Sequence, residues 1–179
     1  PGVRDVLLTG KVYEAARRNR RNKGAREYDA IVLDAPPTGR IAQFLNVNNE
    51  LAGLAKMGPI KAQADTVTEL IRSPQCAIHL TTVLEEMPVQ ETIDGIHEMQ
   101  RTGLPVGGVF INLVRPQDLG DNERALLLND KVDNQQLSKT LDSVGIATTP
   151  AIVATLISEG RDHAERRELE DSQRALIAE

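Results

Sequence analysis

The chain has 179 residues, of which 26 are acidic and 21 are basic, and its formal net charge is −5 at pH 7. This length is typical of one domain, and the negative charge disfavours binding to DNA through counterion release. Two tyrosines, two phenylalanines and no tryptophan are too few to build a stacking surface for single-stranded nucleic acid. The single cysteine excludes an internal disulfide and a metal site built from several thiolates.

The first predicted element is a helix over Val3–Arg18, and a basic run between Arg17 and Arg26 follows it. Because cations are favoured near the C-terminal end of a helix, this run predicts a solvated helix end and loop. The alternative is a surface that binds anionic lipid or nucleic acid. The chain starts with Pro1 rather than methionine, which predicts a piece of a longer protein.

Three apolar runs predict β-strands: Tyr28–Asp34, Cys76–Leu84 and Val106–Val114. Each is rich in Val, Ile or Leu and is bounded by Gly, Pro or charged residues, which is typical of strands covered on both faces. Segments with helical periodicity separate them, and parallel strands need crossovers of that kind. The pattern therefore predicts a three-layer α/β/α fold with a mainly parallel sheet.

Helices are predicted between these strands at Ile41–Leu54 and Lys61–Arg72, and from Pro88 to a stop at Gly103. The helical period places one face of the third helix at Val89, Ile93, Ile96 and Gln100, flanked by Thr92 and Met99.

Polar and charged residues dominate the chain beyond Pro116. One short helix is predicted to end at Gly145, and Pro150 is predicted to open a second, highly charged helix that continues toward Glu179. The alternating charges of Glu159–Asp171 predict a solvated helix face.

The most informative segment is Asp34-Ala-Pro-Pro-Thr-Gly39, which directly follows the apolar run. A carboxylate at the end of an apolar strand, followed by a Thr-Gly turn, is how phosphate-handling α/β proteins hold Mg²⁺ beside a triphosphate. Glycine in the turn lets a backbone N–H approach the terminal phosphate. The structural alternative is that Asp34 only caps the turn after a strand.

This segment, continued through Leu45, resembles the Asp-Thr-Ala-Pro-Thr-Gly-His-Thr-x-x-x-Leu motif of ArsA-type ATPases. These are anion-transporting ATPases and their relatives that target tail-anchored membrane proteins. Three further segments are similar to motifs of that family and occur in the same order: Pro1-Gly-Val-Arg-Asp5, Leu84-Glu-Glu-Met-Pro-Val-Gln-Glu91, and Gly108-Val-Phe-Ile-Asn112 followed by Pro116.

The resemblance implies the C-terminal part of one ATPase domain with a partial P-loop NTPase fold. Residues 1–116 would form the core sheet and switch II region, and residues 117–179 a helical, charged tail. ATP and Mg²⁺ are the implied cofactors, and Asp34 would hold Mg²⁺ through water. The implied catalytic residues are Asp34, Thr38 and Gly39, and the implied nucleotide-binding residues are Pro37, Glu85 and Asn112, of which Asn112 contacts adenine. A strand-end turn for Asn112 and a solvated loop carboxylate for Glu85 are the structural alternatives.

The sequence departs from the family pattern at several places, two of which concern the candidate site. Gly10-Lys11 is followed by Val12, and no Gly-x-x-x-x-Gly-Lys-Ser/Thr loop occurs in the chain, so the chain alone is expected not to hydrolyse ATP. Arg40 replaces the histidine of the motif.

The resemblance implies that the full-length protein is a cytoplasmic ATPase that couples ATP binding and hydrolysis to a conformational change. We expect a homo- or heterodimer through the nucleotide face, no nucleic-acid partner, and membrane contact only through a partner protein. One alternative is a nucleotide-gated, non-catalytic interaction subunit that acts through a partner chain. Another is a partitioning-type ATPase that docks on DNA or membrane through the basic run.

Overall fold

A computed structural model describes residues 2–18, 26–37, 39–45, 47 and 58–178. The helices are α1 (Gly2–Ala16), α2 (39–45), α3 (Pro59–Arg72), α4 (Glu86–Arg101), α5 (Asp121–Leu128), α6 (Asn134–Ser143) and α7 (Pro150–Ala178). The strands β1 (Ile78–Thr82) and β2 (Val106–Ile111) pair in parallel. The protein is therefore a mixed α/β structure in which helices predominate.

The structure divides into two compact units. The first unit contains the described residues up to Thr82 together with Gln90–Phe110, and so includes α1–α3, β1 and most of both α4 and β2. The second unit contains Val83–Val89 and the chain from Ile111 onward, and so includes α5–α7. Within the ranges given above, no helix combines the length and apolarity that crossing a membrane requires.

An apolar core holds the first unit together. Its most buried members are Met99 on α4, with no exposed surface, and Val67 on α3, with 1% exposed. The remaining members of this cluster come from α2, α3, β1 and the segment after α4: Ile41, Phe44, Leu45, Ile71, Leu80 and Leu104. Burial of these side chains is the main favourable term in the folding of the unit.

The end of α4 is formed as the sequence predicts. Gly103 adopts a left-handed backbone with φ 71°, and Leu104 N–H donates to the carbonyl of Met99 at 2.9 Å. This arrangement satisfies carbonyl groups that the last turn of a helix leaves unpaired, and glycine adopts it without steric cost. The same device ends α6, where Gly145 has φ 85°.

The predicted inward face of α4 needs a correction. Val89, Thr92 and Met99 are buried, whereas Ile93 is only half-buried and Gln100 is exposed. Thr92 and Met99 are seven residues apart and therefore lie on one stripe of the helix. The buried side of α4 is therefore the one that includes Thr92 and Met99, and it is rotated away from Gln100.

The predicted strand at Tyr28–Asp34 is wrong, because residues 26–37 form neither helix nor strand. Val32, in the middle of the run, is 95% exposed, although Leu33 packs against the core of the first unit. A strand is held by backbone hydrogen bonds to a neighbouring strand, and the sheet of the described residues contains β1 and β2 alone. The third layer and further strands stay predictions.

Three sequence predictions include residues that the structure does not describe. The basic run continues through 19–25, the helix predicted over Ile41–Leu54 continues through 48–54, and Thr38 lies within the candidate motif. All of these positions lie outside the described residues.

Helix α7 confirms the long helix predicted from Pro150, but its charged segment is not uniformly solvated. Ala164, Arg167 and Glu170 are buried, so the prediction of a solvated face over Glu159–Asp171 is wrong at these positions. They are three residues apart and share one side of the helix. Burial of the two charged side chains is tolerated because the guanidinium and the carboxylate pair with each other at 3.0 Å.

Candidate functional site

The segment around Asp34 lies on the surface of the first unit. Asp34, Pro37 and Gly39 are exposed, and Gly39 begins α2. The N–H of Arg40 donates to the carbonyl of Pro37 at 2.9 Å, which closes a turn between the carboxylate and the helix. A Cβ at Gly39 would meet no atom of another described residue within 4 Å.

The carboxylate of Asp34 is the metal-binding group that the sequence predicts. Among the described side chains no group of three or more His, Cys, Asp or Glu could hold a metal. Mg²⁺ keeps several of its waters and needs few protein ligands. An exposed carboxylate can hold such a hydrated ion, and this role of Asp34 stays a prediction.

Asn112 follows β2 directly and is exposed. Its Oδ1 accepts a hydrogen bond from the N–H of Leu113 at 2.9 Å, which fixes the direction of the amide. No hydrogen bond from its Nδ2 to another described residue is present. The Nδ2 hydrogens and the second lone pair of Oδ1 can therefore meet one acceptor and one donor of a ligand.

Glu85 lies in the second unit, immediately before α4. Its N–H donates to the carbonyl of Val83 at 2.9 Å, and its own carbonyl accepts from the N–H of Val89 at 3.1 Å, in the first turn of the helix. These backbone bonds hold the residue at the helix start while its carboxylate stays exposed.

A cavity of about 530 Å³ lies beside Glu85 in the second unit. Its lining combines four apolar side chains, two carboxylates and two guanidinium groups: Leu84, Met87, Pro88, Leu169, Glu85, Glu86, Arg115 and Arg166. The volume lies within the range of small-molecule pockets, and apolar walls stand beside charged groups.

The cavity brings two of the sequence motifs together. Glu85 belongs to the segment before α4, and Arg115 lies three residues after Asn112 in the loop that follows β2. Asp34, Pro37 and Gly39 belong to the other unit. The described site residues therefore form two groups, one in each unit.

Sequence reasoning missed the contribution of α7 to this region. Arg166 and Leu169 line the cavity, and Glu170 forms an ion pair with Arg115, 55 residues earlier in the chain. Burial alone would raise the pKa of Glu170, but hydrogen bonds from Arg115 and Arg167 outweigh it, and its pKa is lowered. The one available signal was the three-residue spacing of Ala164, Arg167 and Glu170.

Cys76 lies just before β1 and His79 lies on it. Burial raises the pKa of the Cys76 thiol, so it is protonated at neutral pH. His79 Nδ1 accepts from the N–H of Gly108 at 3.0 Å, on the same strand pair, and the ring stacks obliquely on Phe110. These contacts give His79 a structural role in the sheet.

Comparison with known proteins relates the chain to ATPases. It is 45% identical over 166 residues to the ATPase BagA of Mycobacterium tuberculosis, and equally identical over the same length to a protein of Mycobacterium bovis that is also named as an ATPase. Each alignment covers 93% of this chain and 48% of the relative, so the chain spans about half the length of the curated relatives it matches. No protein-family model matches the chain.

Proposed function

We propose that the chain is part of an ArsA-type ATPase and supplies one portion of its ATP site. The observation that carries this proposal is the 45% identity to proteins named as ATPases over almost the whole chain. The order of the four motifs supports the finer assignment, as does the exposed carboxylate of Asp34.

In the proposed site, Asp34 would hold Mg²⁺ through water, Thr38 and Gly39 would sense the terminal phosphate, and Pro37 would contact the nucleotide. Bound Mg²⁺ would supply positive charge to the phosphate oxygens, which is the main catalytic requirement of phosphoryl transfer. The chain's own contribution is an exposed carboxylate shortly before α2. A backbone N–H near Gly39 would approach a phosphate with no side chain in the way.

The base of ATP is proposed to bind in the second unit. The amide of Asn112 offers one donor and one acceptor, which matches the edge of adenine. Glu85 and the apolar wall of the neighbouring cavity would bind near the ring or the ribose.

We propose that ATP binding and hydrolysis drive a conformational change in the longer, cytoplasmic protein, and that it acts as a dimer through the nucleotide face. Isolated, this chain is expected to be inactive, because it contains no lysine in a phosphate-binding loop.

The test is the Asp34→Asn variant of the full-length protein. ATP turnover should fall by roughly tenfold or more, because the amide removes the charge that holds Mg²⁺. Asp29→Asn is the matched control, since Asp29 is an exposed carboxylate in the same segment and its loss should leave turnover unchanged. Equal turnover in wild type and Asp34→Asn would remove Asp34 from the site.

A non-catalytic subunit gated by nucleotide is the second candidate. Arg40, exposed at the start of α2, replaces the histidine of the resembling motif, and this observation favours it. The two candidates separate in one experiment on the full-length protein: a catalytic ATPase releases phosphate from ATP, whereas the gated subunit binds ATP and releases none.

A further inference from the structure

The loop after β2 contains a residue in an unfavourable backbone conformation. Leu113 has φ 53° and a side chain that is 78% exposed. Left-handed backbone is unfavourable for residues other than glycine, and it persists where the surrounding structure fixes it. Because the Leu113 side chain has little packing of its own, the fixing contacts must lie elsewhere in the loop.

Arg115 provides those contacts, through three of its groups. Its N–H donates to Glu170 Oε2 at 3.4 Å, and its guanidinium forms an ion pair with the other oxygen of that carboxylate. Its carbonyl accepts from the guanidinium of Arg167 at 3.3 Å. The main chain of the loop is thus held on both sides of Arg115 by two neighbouring residues of α7.

The partners on α7 are themselves fixed. The side chains of Glu170 and Arg167 are 3% and 9% exposed and bond to each other at 3.0 Å. Arg167 also donates to Asp171 at 3.2 Å, and Asp171 accepts from Arg124 of α5 at 2.9 Å. Replacing a buried ion pair with apolar residues is often neutral or stabilising, so stability alone is a weak reason for such a cluster.

We infer that Glu170 and Arg167 are positioning residues that hold the loop of residues 112–116 in the conformation that recognises the base of ATP. The steps are local. The two side chains fix the main chain at Arg115, which keeps Leu113 left-handed, and the Leu113 N–H then fixes the amide of Asn112. A loop fixed in advance binds its ligand without an ordering cost. This inference rests on the proposed function, and in particular on the role of Asn112.

The inference predicts that binding of the base depends on the loop and that binding of the phosphates does not. A ligand that lacks the base, inorganic tripolyphosphate, should be indifferent to the loop. A general loss of structure would instead weaken both ligands. The ratio of the dissociation constants for ATP and tripolyphosphate therefore reports positioning rather than folding.

The experiment uses the full-length protein with Mg²⁺ and compares Glu170→Gln with Glu168→Gln. Both variants remove one carboxylate from α7, but Glu168 is exposed whereas Glu170 is buried. Glu170→Gln should raise the dissociation constant for ATP by roughly fivefold or more, as expected for weakened hydrogen bonds. Its affinity for tripolyphosphate, and both affinities of Glu168→Gln, should equal those of wild type.

Wild-type affinity for ATP in Glu170→Gln would overturn the inference, and so would equal weakening of ATP and tripolyphosphate. If Glu170→Gln does not fold, Arg115→Lys decides. Lysine keeps the positive charge but cannot reproduce the planar guanidinium. The affinity for ATP should therefore fall by about threefold, and the affinity for tripolyphosphate should not change. No change of that ratio in a folded Arg115→Lys protein overturns the inference. A wild-type protein that binds no ATP would instead overturn the proposed function, and the positioning role with it.

Discussion

The amide of Asn112 and the carboxylate of Asp34 are the two exposed side chains on which nucleotide recognition is proposed to depend. Each stands where a run of apolar residues gives way to a turn, but their local settings differ. Asn112 is oriented by the N–H of Leu113 at 2.9 Å, whereas Asp34 is exposed in a segment that forms neither helix nor strand. An oriented amide suits discrimination between bases, and a free carboxylate suits a hydrated ion.

The amide of Asn112 should therefore determine the preference for adenine. In the full-length protein, Asn112→Ala should weaken the binding of ATP by about 1 kcal/mol, the typical value of one hydrogen bond. The affinity for GTP should change less, because guanine presents the opposite pattern of donors and acceptors at that edge. Competition between labelled ATP and either nucleotide measures the ratio, and Asn122→Ala on α5 serves as control. An unchanged preference for ATP over GTP would contradict the adenine role.

At the scale of elements, local signals predicted the helices better than the strands. The stops at Gly103 and Gly145 and the start at Pro150 depend on residues within one turn of the helix end, and all three are confirmed. The strand predicted at Tyr28–Asp34 depends on a neighbouring strand, which the local sequence does not specify. Helix α5 was missed because its eight residues, Asp121–Leu128, begin in a polar segment without a side-chain cap.

Helix α6 depends on one such local device. The side chain of Asp133 accepts from the N–H groups of Gln135 and Gln136 at 2.9 and 3.0 Å, and the helix has no buried residue. Asp133→Ala should therefore destabilise α6 by about 1 kcal/mol, measured as faster amide hydrogen exchange over Asn134–Ser143. Asp133→Ser retains a cap and should restore most of the protection. Equal exchange rates in all three proteins would show that the cap contributes nothing.

At the scale of the whole molecule, the contacts that sequence reasoning could not find are those between distant charged residues. The segment before α4 and the loop after β2 were found because each contains a motif of its own. The pairing of Arg115 with Glu170 spans 55 residues, and many carboxylates on α7 look equivalent in the sequence. The three-residue spacing of Ala164, Arg167 and Glu170 is the one local signal, and packing in the second unit decides that this side of the helix is buried.

These paired carboxylates should also give stability a definite dependence on pH. Hydrogen bonds from Arg115 and Arg167 lower the pKa of Glu170 below its ordinary 4.5 despite its burial. Hydrogen bonds from Arg18 and Lys11 lower the pKa of Glu14, from 4.5 to about 2. A carboxyl with a lowered pKa binds protons more readily in the unfolded chain, so its contribution is complete above pH 4.5 and is lost as pH falls through the folded value.

The free energy of unfolding should therefore be nearly constant between pH 7 and 5 and should fall as pH drops below about 4.5. Glu14 is exposed and its pair is screened by water, so we expect most of the effect from the buried Glu170. Urea unfolding at a series of pH values measures it. Glu170→Gln should lower stability at pH 7 and flatten the acid slope, because glutamine does not titrate, whereas Glu168→Gln should reproduce the wild-type slope. Parallel acid slopes for wild type and Glu170→Gln would show that this carboxylate does not govern acid stability.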